Sequence, residues 1–424
     1  MPLALTLKKP WFLFFLGITF SYCCSAIVTG AVPAFVAMGV LATSWIPIFS
    51  TIRTAVSAFA VVISRLLEDR SPFAIVLGCS LYDVILSLLA LIMAETQLFP
   101  LTTALCLYIA MMSLTPIVAS IAQQIYAGEL SLMSEREASL FNTLSFSLLP
   151  FLSMAITQAL GSLLAGWSLT GLIVINLLLS AVSLCANLRA YRTYRQRQPA
   201  QAVASHDSAP TTGHDKGTRL DIRTLMQVLR LSLASPLIVA LLYFSVDIFL
   251  FYLPVWVAGQ TAHKSQTIAL FTFLAGSGSA LGPLLFHCLR KRTGLRRHAF
   301  CAMLAIVLSE AALLLLVGTS GVQPGLSVLL TIGLVGIIYC GTSYFSLVAI
   351  SARQQAHAEG RYPIVVGIAY SSLSIMMLAG TWVGYFLDVA AHPAQGLLLA
   401  LLSSLVVAGF AVRGRPGYQA NSHN

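Results

Sequence analysis

The sequence predicts an all-α membrane protein with twelve transmembrane helices. Of its 424 residues, 58% are hydrophobic and only 9% are charged, whereas a soluble globular protein has about 25% charged residues. The uncharged runs last about twenty residues, which is the length of a helix that crosses a bilayer, and the chain holds roughly twelve of them. Strands of a membrane barrel would instead alternate polar and apolar residues. The composition therefore excludes a soluble enzyme, a disordered chain and a secreted disulfide scaffold.

Charged residues delimit the spans, and turn-forming residues separate neighbouring spans. Pro33 and the stretch 39–44 predict the first turn. The predicted helices are 11–32, 44–64, 73–94, 101–124, 139–164, 168–188, 235–258, 265–288, 298–318, 326–349, 363–387 and 394–412. They divide the chain into an N-terminal six-helix bundle (1–188), a central loop (189–234), a C-terminal six-helix bundle (235–412) and a tail (413–424).

The central loop has two parts of different composition. Residues 198–217 are rich in Ala, Ser, Thr, Pro and His, which predicts a flexible linker. Residues 220–233 alternate leucine, isoleucine and methionine with arginine, which predicts an amphipathic helix on the anionic membrane surface. A regulatory or partner-binding site is the alternative for this loop.

The basic residues predict the orientation of the chain. Of the 24 lysines and arginines, all but Arg53 and Lys264 lie in the terminal segments or the loops that follow even-numbered spans. Because lysine and arginine accumulate on the cytoplasmic side, both termini and the central loop are expected in the cytoplasm, with the chain in the inner (plasma) membrane. The net charge of +10 therefore indicates topology rather than nucleic-acid binding.

No pattern in the sequence indicates an enzyme, a metal site or a cofactor. The eight cysteines lie in or beside apolar runs without the spacing of ligands or redox pairs, and are interpreted as small apolar residues. A Gly-rich phosphate loop and a nucleophile motif are also missing from the sequence. The expected partners are the lipid bilayer, protons and a small-molecule substrate, and the protein is expected to act as a monomer.

The two halves of the chain repeat each other. Pro33–Ala37 and Pro254–Val255–Trp256–Val257–Ala258 share three of five residues at an offset of 221 residues. One helix later, Leu67–Pro72 corresponds to Leu289–Gly294 at an offset of 222 residues. Both matches lie at equivalent points of the topology. Repeated halves are typical of secondary transporters that move two bundles about a site at the midplane.

These loops carry the residues of a known signature. The chain resembles the major facilitator superfamily, whose motif after the second helix reads G-x-L-a-D-R-x-G-r-r. Leu67, Asp69 and Arg70 match it, with Arg65 and Pro72 at the glycine positions. The second copy keeps Leu289, Arg292 and Gly294, with His287 and Lys291 as departures. The resemblance covers the whole chain and implies two pseudo-symmetric six-helix bundles in which helices one, four, seven and ten line a cavity.

Four charged residues lie inside predicted spans, where each charge is costly and needs a partner or a function. Arg53 is ~18 Å deep on helix two and Asp83 is ~15 Å deep on helix three, at 1.5 Å per residue. We predict an ion pair between them, either structural or part of a gate that breaks during transport. Removing one partner should cost more than removing both.

Asp247 and Glu310 are the candidates for proton coupling. Asp247 lies on helix seven, near the midplane of the membrane, where desolvation would favour its neutral form. In the family that the chain resembles, this helix lines the cavity. Asp247 is expected to exchange a proton or bind a cationic group, or else to bond a neighbouring helix. Glu310 lies within helix nine. It is expected to act as a proton relay, or else to be a neutral acid hydrogen-bonded to Ser277 or Ser279.

Hydroxyl side chains on the cavity helices are candidates for substrate contacts, although hydroxyls also hold helices together. The candidates are Tyr22, Ser25, Tyr243, Tyr252, Tyr339 and Tyr344. The sequence therefore predicts a proton-coupled secondary transporter that exports a small amphipathic compound. Proton-coupled import of a nutrient or metabolite is the alternative, and a membrane-embedded enzyme or receptor is the rival of a different class.

Overall fold

The part of the chain that the structure describes consists of helices joined by short turns. The computed structural model describes residues 9–58, 63, 67, 70–96, 101–134, 137, 140–141, 144–204, 232–289, 294–318, 324–356 and 362–413. Its α-helices are α1 (Pro10–Ala37), α2 (Trp45–Ala58), α3 (Pro72–Thr96), α4 (Leu101–Met112), α5 (Thr115–Met133), α6 (Gln158–Ala165), α7 (Leu169–Ala204), α8 (Pro236–Leu250), α9 (Leu253–Gly259), α10 (Lys264–Leu289), α11 (Leu295–Gly318), α12 (Pro324–Ala356), α13 (Tyr362–Phe386) and α14 (Pro393–Arg413).

The helices are long and apolar enough to cross a bilayer. Within the described residues, nine helical stretches meet the length and hydropathy of a membrane span, and two of them run through α4–α5 and α8–α9. Leucines and isoleucines are exposed along the outer faces of these helices, for example Leu178 and Leu308. Lipid rather than water would contact them there. The prediction of an all-α, multi-pass membrane protein is confirmed.

The turn predicted at Pro33 is wrong. The helix α1 continues through Pro33 and ends at Ala37. The turn lies in the other predicted part, the stretch 39–44, and uses Gly39, whose φ of 78° is open to glycine and strained for other residues. A membrane helix tolerates an internal proline because neighbouring helices compensate for the lost backbone hydrogen bond.

Two spans are broken by prolines that begin a new helix. The fourth span leaves the helical conformation at Ser113, between α4 and α5, and Pro116 lies in the first turn of α5. The seventh span leaves it at Phe251, between α8 and α9, with Pro254 in the first turn of α9. Proline is accepted in a first turn because the N–H that it lacks has no partner there.

The fifth span and the sixth differ from regular helices of the predicted length. Two π-helical segments, Leu144–Leu148 and Phe151–Thr157, precede α6. The helix α7 continues to Ala204, so the predicted flexible linker is wrong for residues 198–204. The remainder of the linker and the amphipathic helix predicted at 220–233 lie outside the described residues, apart from 232 and 233.

Packing is densest within each half of the chain, and several helices also contact the other half. In the first half α1 packs against α6 and α7, and α7 also packs against α3. In the second half α8 packs against α13 and α14, α11 against α12 and α14, and α10 against α12. Between the halves, α2 packs against α13, and α10 packs against α6 and the second π-helical segment.

The closest approach between α1 and α6 depends on two glycines. A methyl group built on Gly161 would lie 1.9 Å from the carbonyl oxygen of Ile27, and one built on Gly30 would lie 2.1 Å from that of Gln158. Ser162 Oγ donates a hydrogen bond of 2.7 Å to the carbonyl oxygen of Gly30. Small residues let membrane helices approach until their backbones touch, so these positions fix the fifth span against the first.

Candidate functional site

Asp83 lies at the meeting point of α1, α3 and α5. Its side chain is fully buried. Ser21 Oγ on α1 donates to Asp83 Oδ2 at 3.2 Å, and Thr115 Oγ1 on α5 donates to Asp83 Oδ1 at 2.9 Å. Both carboxyl oxygens therefore have a hydroxyl donor, which offsets the cost of burying them.

The ion pair between Arg53 and Asp83 stays a prediction. Arg53 belongs to α2, but its side chain lies outside the described residues. The described part of α2 packs against α13 and α4, and not extensively against α3. The contacts seen at Asp83 are therefore with hydroxyl groups of α1 and α5, which sequence depth alone did not indicate.

Asp247 lies at the interface of α8 and α13 and is 1% exposed. A methyl group built on Gly380 of α13 would lie 3.2 Å from Asp247 Cβ and 2.5 Å from the carbonyl oxygen of Phe244. One turn later, the Tyr252 hydroxyl donates to the carbonyl oxygen of Thr381 at 2.6 Å. The carboxyl group is thus held where α8 meets the helix that contacts the first half of the chain.

Glu310 is fully buried on α11 and bonds to α14. Ser404 Oγ lies 3.1 Å from Glu310 Oε1 and 3.0 Å from Ser245 Oγ on α8. The partners suggested for Glu310, Ser277 and Ser279, are wrong: Ser279 bonds Ser343 instead, at 2.9 Å. Sequence analysis missed Ser404 because nothing in the sequence pairs α11 with α14.

Two tyrosine–serine pairs join the cavity helices predicted for each half. The hydroxyl of Tyr22 on α1 lies near Ser120 on α5, and that of Tyr243 on α8 lies near Ser346 on α12. Tyr22 and Tyr243 are separated by 221 residues, the offset of the sequence repeat. All four side chains are half-buried.

The other cavity candidates take part in packing. Tyr252 is fully buried against α13, and Tyr344 is bonded to His298 Nδ1 at 2.5 Å beside Phe286. Tyr339 packs against the buried core. The backbone oxygen of Ser25 accepts from the Thr29 hydroxyl at 2.9 Å. The structure therefore brings Tyr22 and Tyr243 into equivalent places and assigns Tyr252 and Tyr344 to contacts between helices.

The loop motif is only partly visible. Arg70 is exposed, and its backbone N–H donates to the carbonyl oxygen of Leu67 at 3.0 Å. In the second copy, Leu289 ends α10 and Gly294 precedes α11. Asp69 and Arg292 lie outside the described residues.

Polar contacts tie the halves together near the helix ends that face the 260–263 loop. Ser50 on α2 bonds Thr381 on α13 at 3.2 Å, and the indole N–H of Trp382 donates to Thr51 Oγ1 at 2.9 Å. Lys264 Nζ donates to the carbonyl oxygen of Ala37 at 2.9 Å. That carbonyl is at the C-terminal end of α1, where the helix dipole favours a cation.

The same interface continues towards the middle of the membrane. A methyl group built on Gly276 of α10 would lie 2.3 Å from the backbone nitrogen of Ala155 in the second π-helical segment. One built on Gly166, after α6, would lie 2.5 Å from Ser265 Oγ. The halves are therefore in direct contact from this end of the molecule to mid-depth.

Metal-ligating side chains do not cluster in the part of the chain that the structure describes. No group of three or more His, Cys, Asp or Glu side chains lies close enough there to hold an ion. Asp83 and Glu310 instead bond to hydroxyl groups on neighbouring helices.

Comparison with known proteins rests on structure alone, since no family model and no curated protein matches this sequence. A D-xylose-proton symporter has a TM-score of 0.67 at 13% identity, and the match covers 96% of this chain and 97% of the other. The chain has the major facilitator fold. A bacterial homologue of the iron transporter ferroportin in its outward-facing state has a TM-score of 0.61 at 15% identity, with coverages of 95% and 98%.

A structure described as a bacterial metal transporter has a TM-score of 0.57 at 14% identity, with coverages of 95% and 98%. Because each match covers nearly the whole of both chains, the likeness in fold extends over almost the full length of this chain. All of these similar structures are membrane transporters, and the resemblance stated from the loop motif is confirmed at the level of fold.

Proposed function

We propose that this protein is a proton-coupled secondary transporter of the inner membrane that exports a small amphipathic organic compound by alternating access. The observation that carries the proposal is the burial of Asp83, Asp247 and Glu310 within apolar helices. Carboxyl groups at such depth are costly and mark ion or substrate pathways in membrane proteins. The described contact of Glu310 is with a single hydroxyl group, which suits an acid that gains and loses a proton.

The proposed architecture has twelve spans in two pseudo-symmetric bundles. Counting α4 with α5, the π-helical segments with α6, and α8 with α9 as single spans leaves twelve in all. The separate packing of the first and second sets of helices supports two bundles. The tyrosine–serine pairs at equivalent places in each half support their pseudo-symmetry.

The contacts between the halves suggest how access would alternate. Lys264, Ser50 and Trp382 bond across the interface near the end of the molecule that the charge distribution assigns to the external side. We infer that this form is closed to the outside. Opening it requires these bonds to break, and their single hydrogen-bond energies of about 1 kcal/mol make that exchange reversible.

The substrate class follows from the groups available at the interface. Three acids against one arginine within the spans disfavour a dianion, and half-buried tyrosines offer both an aromatic face and a hydroxyl group. A neutral or cationic amphipathic molecule fits these groups. The fold similarity to a D-xylose-proton symporter favours a second candidate, proton-coupled import of a small metabolite.

A screen of solutes in proteoliposomes should identify the substrate and its direction together. With an imposed pH gradient, we expect one amphipathic cation or neutral compound to accumulate against its concentration gradient in the compartment that supplies protons. Collapse of the gradient with a protonophore should abolish the accumulation. Accumulation in the opposite compartment would indicate import, and accumulation that persists without the gradient would contradict proton coupling.

Reporter tags should establish the orientation. Tags after Ser208 and at the C-terminus are expected in the cytoplasm, and a tag at His263 is expected outside, because 22 of the 24 basic residues lie on the side of the termini. Accessibility to an impermeant label in intact cells measures this. Labelling of the tag after Ser208 from outside would overturn the twelve-span arrangement.

A further inference from the structure

Glu310 stands at one end of a hydrogen-bonded chain that crosses three helices. Ser404 Oγ on α14 lies 3.1 Å from Glu310 Oε1 and 3.0 Å from Ser245 Oγ on α8. Ser245 Oγ in turn lies 2.8 Å from the carbonyl oxygen of Leu242. The side chains of Glu310, Ser404 and Ser245 are fully buried. The chain thus connects a peripheral helix to α8 through side chains that are shielded from solvent.

Counting hydrogens shows that this chain has two arrangements, of which only the protonated one makes every contact a hydrogen bond. Each serine supplies one donor hydrogen, and Leu242 supplies only an acceptor. If Glu310 is protonated, it donates to Ser404, Ser404 donates to Ser245, and Ser245 donates to the Leu242 carbonyl, so every contact is a hydrogen bond. If Glu310 is ionised, Ser245 donates to Ser404 and Ser404 donates to the carboxylate.

The second carboxyl oxygen distinguishes Glu310 from Asp83. Both oxygens of Asp83 accept from hydroxyl groups, whereas Glu310 Oε2 has no hydrogen-bond partner among the described residues. A buried carboxylate with one bare oxygen is much less stable than the neutral acid. Asp83 is therefore suited to holding helices together, and Glu310 to carrying a proton.

Among the described side chains, the titratable groups on the helices around this chain include His298 and Cys301 on α11, Tyr339, Cys340, Tyr344 and Arg353 on α12, and Tyr243 and Asp247 on α8. None forms a recorded hydrogen bond or salt bridge with Glu310 in the described part of the chain. A proton would therefore reach Glu310 through Ser404, its hydrogen-bonded neighbour among the described residues.

We propose that Glu310 is a proton-binding site joined to the transport pathway along α8 by Ser404 and Ser245. When alternating access opens the α8 interface to water, a hydronium ion gives a proton to Ser245 Oγ and leaves as water. The hydroxyl hydrogen of Ser245 passes to Ser404 Oγ, and that of Ser404 passes to Glu310 Oε1. At each serine one O–H bond breaks and one forms, the carboxylate gains one proton, and the hydrogen bonds between the three side chains reverse direction. This inference rests on the proposed function, since it adds to the coupling candidate Asp247 a second proton-binding residue, which lies outside the cavity helices.

Infrared spectroscopy of the purified full chain tests the proposal with protons alone as the ligand. We expect a carbonyl band of a protonated carboxyl group that is lost as the pH rises and is missing in Glu310→Gln. Ser404→Ala should shift this band and slow its appearance after a drop in pH by roughly tenfold or more, as for the loss of a positioned proton-transfer group. Ser404→Thr, which keeps the hydroxyl, should restore the rate.

Ser403→Ala is the matched control. Ser403 Oγ bonds the Leu399 carbonyl oxygen on the same helix, so its loss should leave both band and rate unchanged. The proposal would be overturned if the intensity of the Glu310 band were constant at every pH where the protein stays folded. It would also be overturned if Ser404→Ala left the position and the rate of appearance of the band unchanged. Because the measurement uses neither solute nor gradient, a titrating Glu310 in a protein that moves no solute would instead count against the proposed function.

Discussion

Replacing Gly161 by leucine should eliminate most of the folded protein. The first side-chain atom of the new residue would lie 1.9 Å from the Ile27 carbonyl oxygen, and a backbone atom cannot rotate away as a side chain can. The helices must separate, which also breaks the bond from Ser162 to Gly30. Overpacking of a tight contact costs up to about 3 kcal/mol and occasionally more, a large share of the stability of a typical protein.

The measurement is the monodisperse fraction of detergent-solubilised protein and its thermal unfolding midpoint. Gly78→Leu is the control, because a side chain at Gly78 meets nothing within 4 Å on an exposed face of α3. It should match the unaltered protein or slightly exceed it, since glycine is a poor helix former. Equal behaviour of the two variants would show that α1 and α6 are not in backbone contact.

Asp247→Asn should abolish uphill transport while the protein folds normally. Asparagine keeps the shape and hydrogen-bonding capacity of the side chain but cannot bind or release a proton. Asp247 is buried beside Gly380 of α13, and α13 also bonds α2 through Thr381 and Trp382. A change of charge at this position would therefore act on the helix that connects the two halves.

Accumulation driven by a pH gradient should fall to the level of empty liposomes, while binding or downhill exchange of the substrate persists. Asp388→Asn provides the same chemical change at an exposed acid, and it should have no effect because asparagine tolerates the φ of 49° found there. Uphill transport by Asp247→Asn with an unaltered pH dependence would exclude Asp247 as the coupling group. Glu310 would then be the remaining candidate for coupling.

Hydropathy located the apolar spans, because lipid demands an apolar run of fixed length. Their ends were less accurate, since α5, α7 and α12 end at Met133, Ala204 and Ala356 rather than at the predicted positions 124, 188 and 349. The boundaries that failed are those where backbone geometry mattered more than polarity. Pro33 continues α1 because packing compensates for a missing hydrogen bond, and α7 runs on past residue 198 although its composition there is that of a linker. Neither effect leaves a signal in hydropathy.

The sequence by itself also determined which charged residues lie in the membrane, since Asp83, Asp247 and Glu310 interrupt long apolar runs. Only the tertiary structure decided their partners. Ser21 and Thr115 reach Asp83 from two other helices, and Ser404 reaches Glu310 across 94 positions of the chain. Helices of nearly uniform hydrophobicity carry no periodic pattern that orients them, so which faces meet depends on close packing at small residues such as Gly30, Gly161 and Gly380.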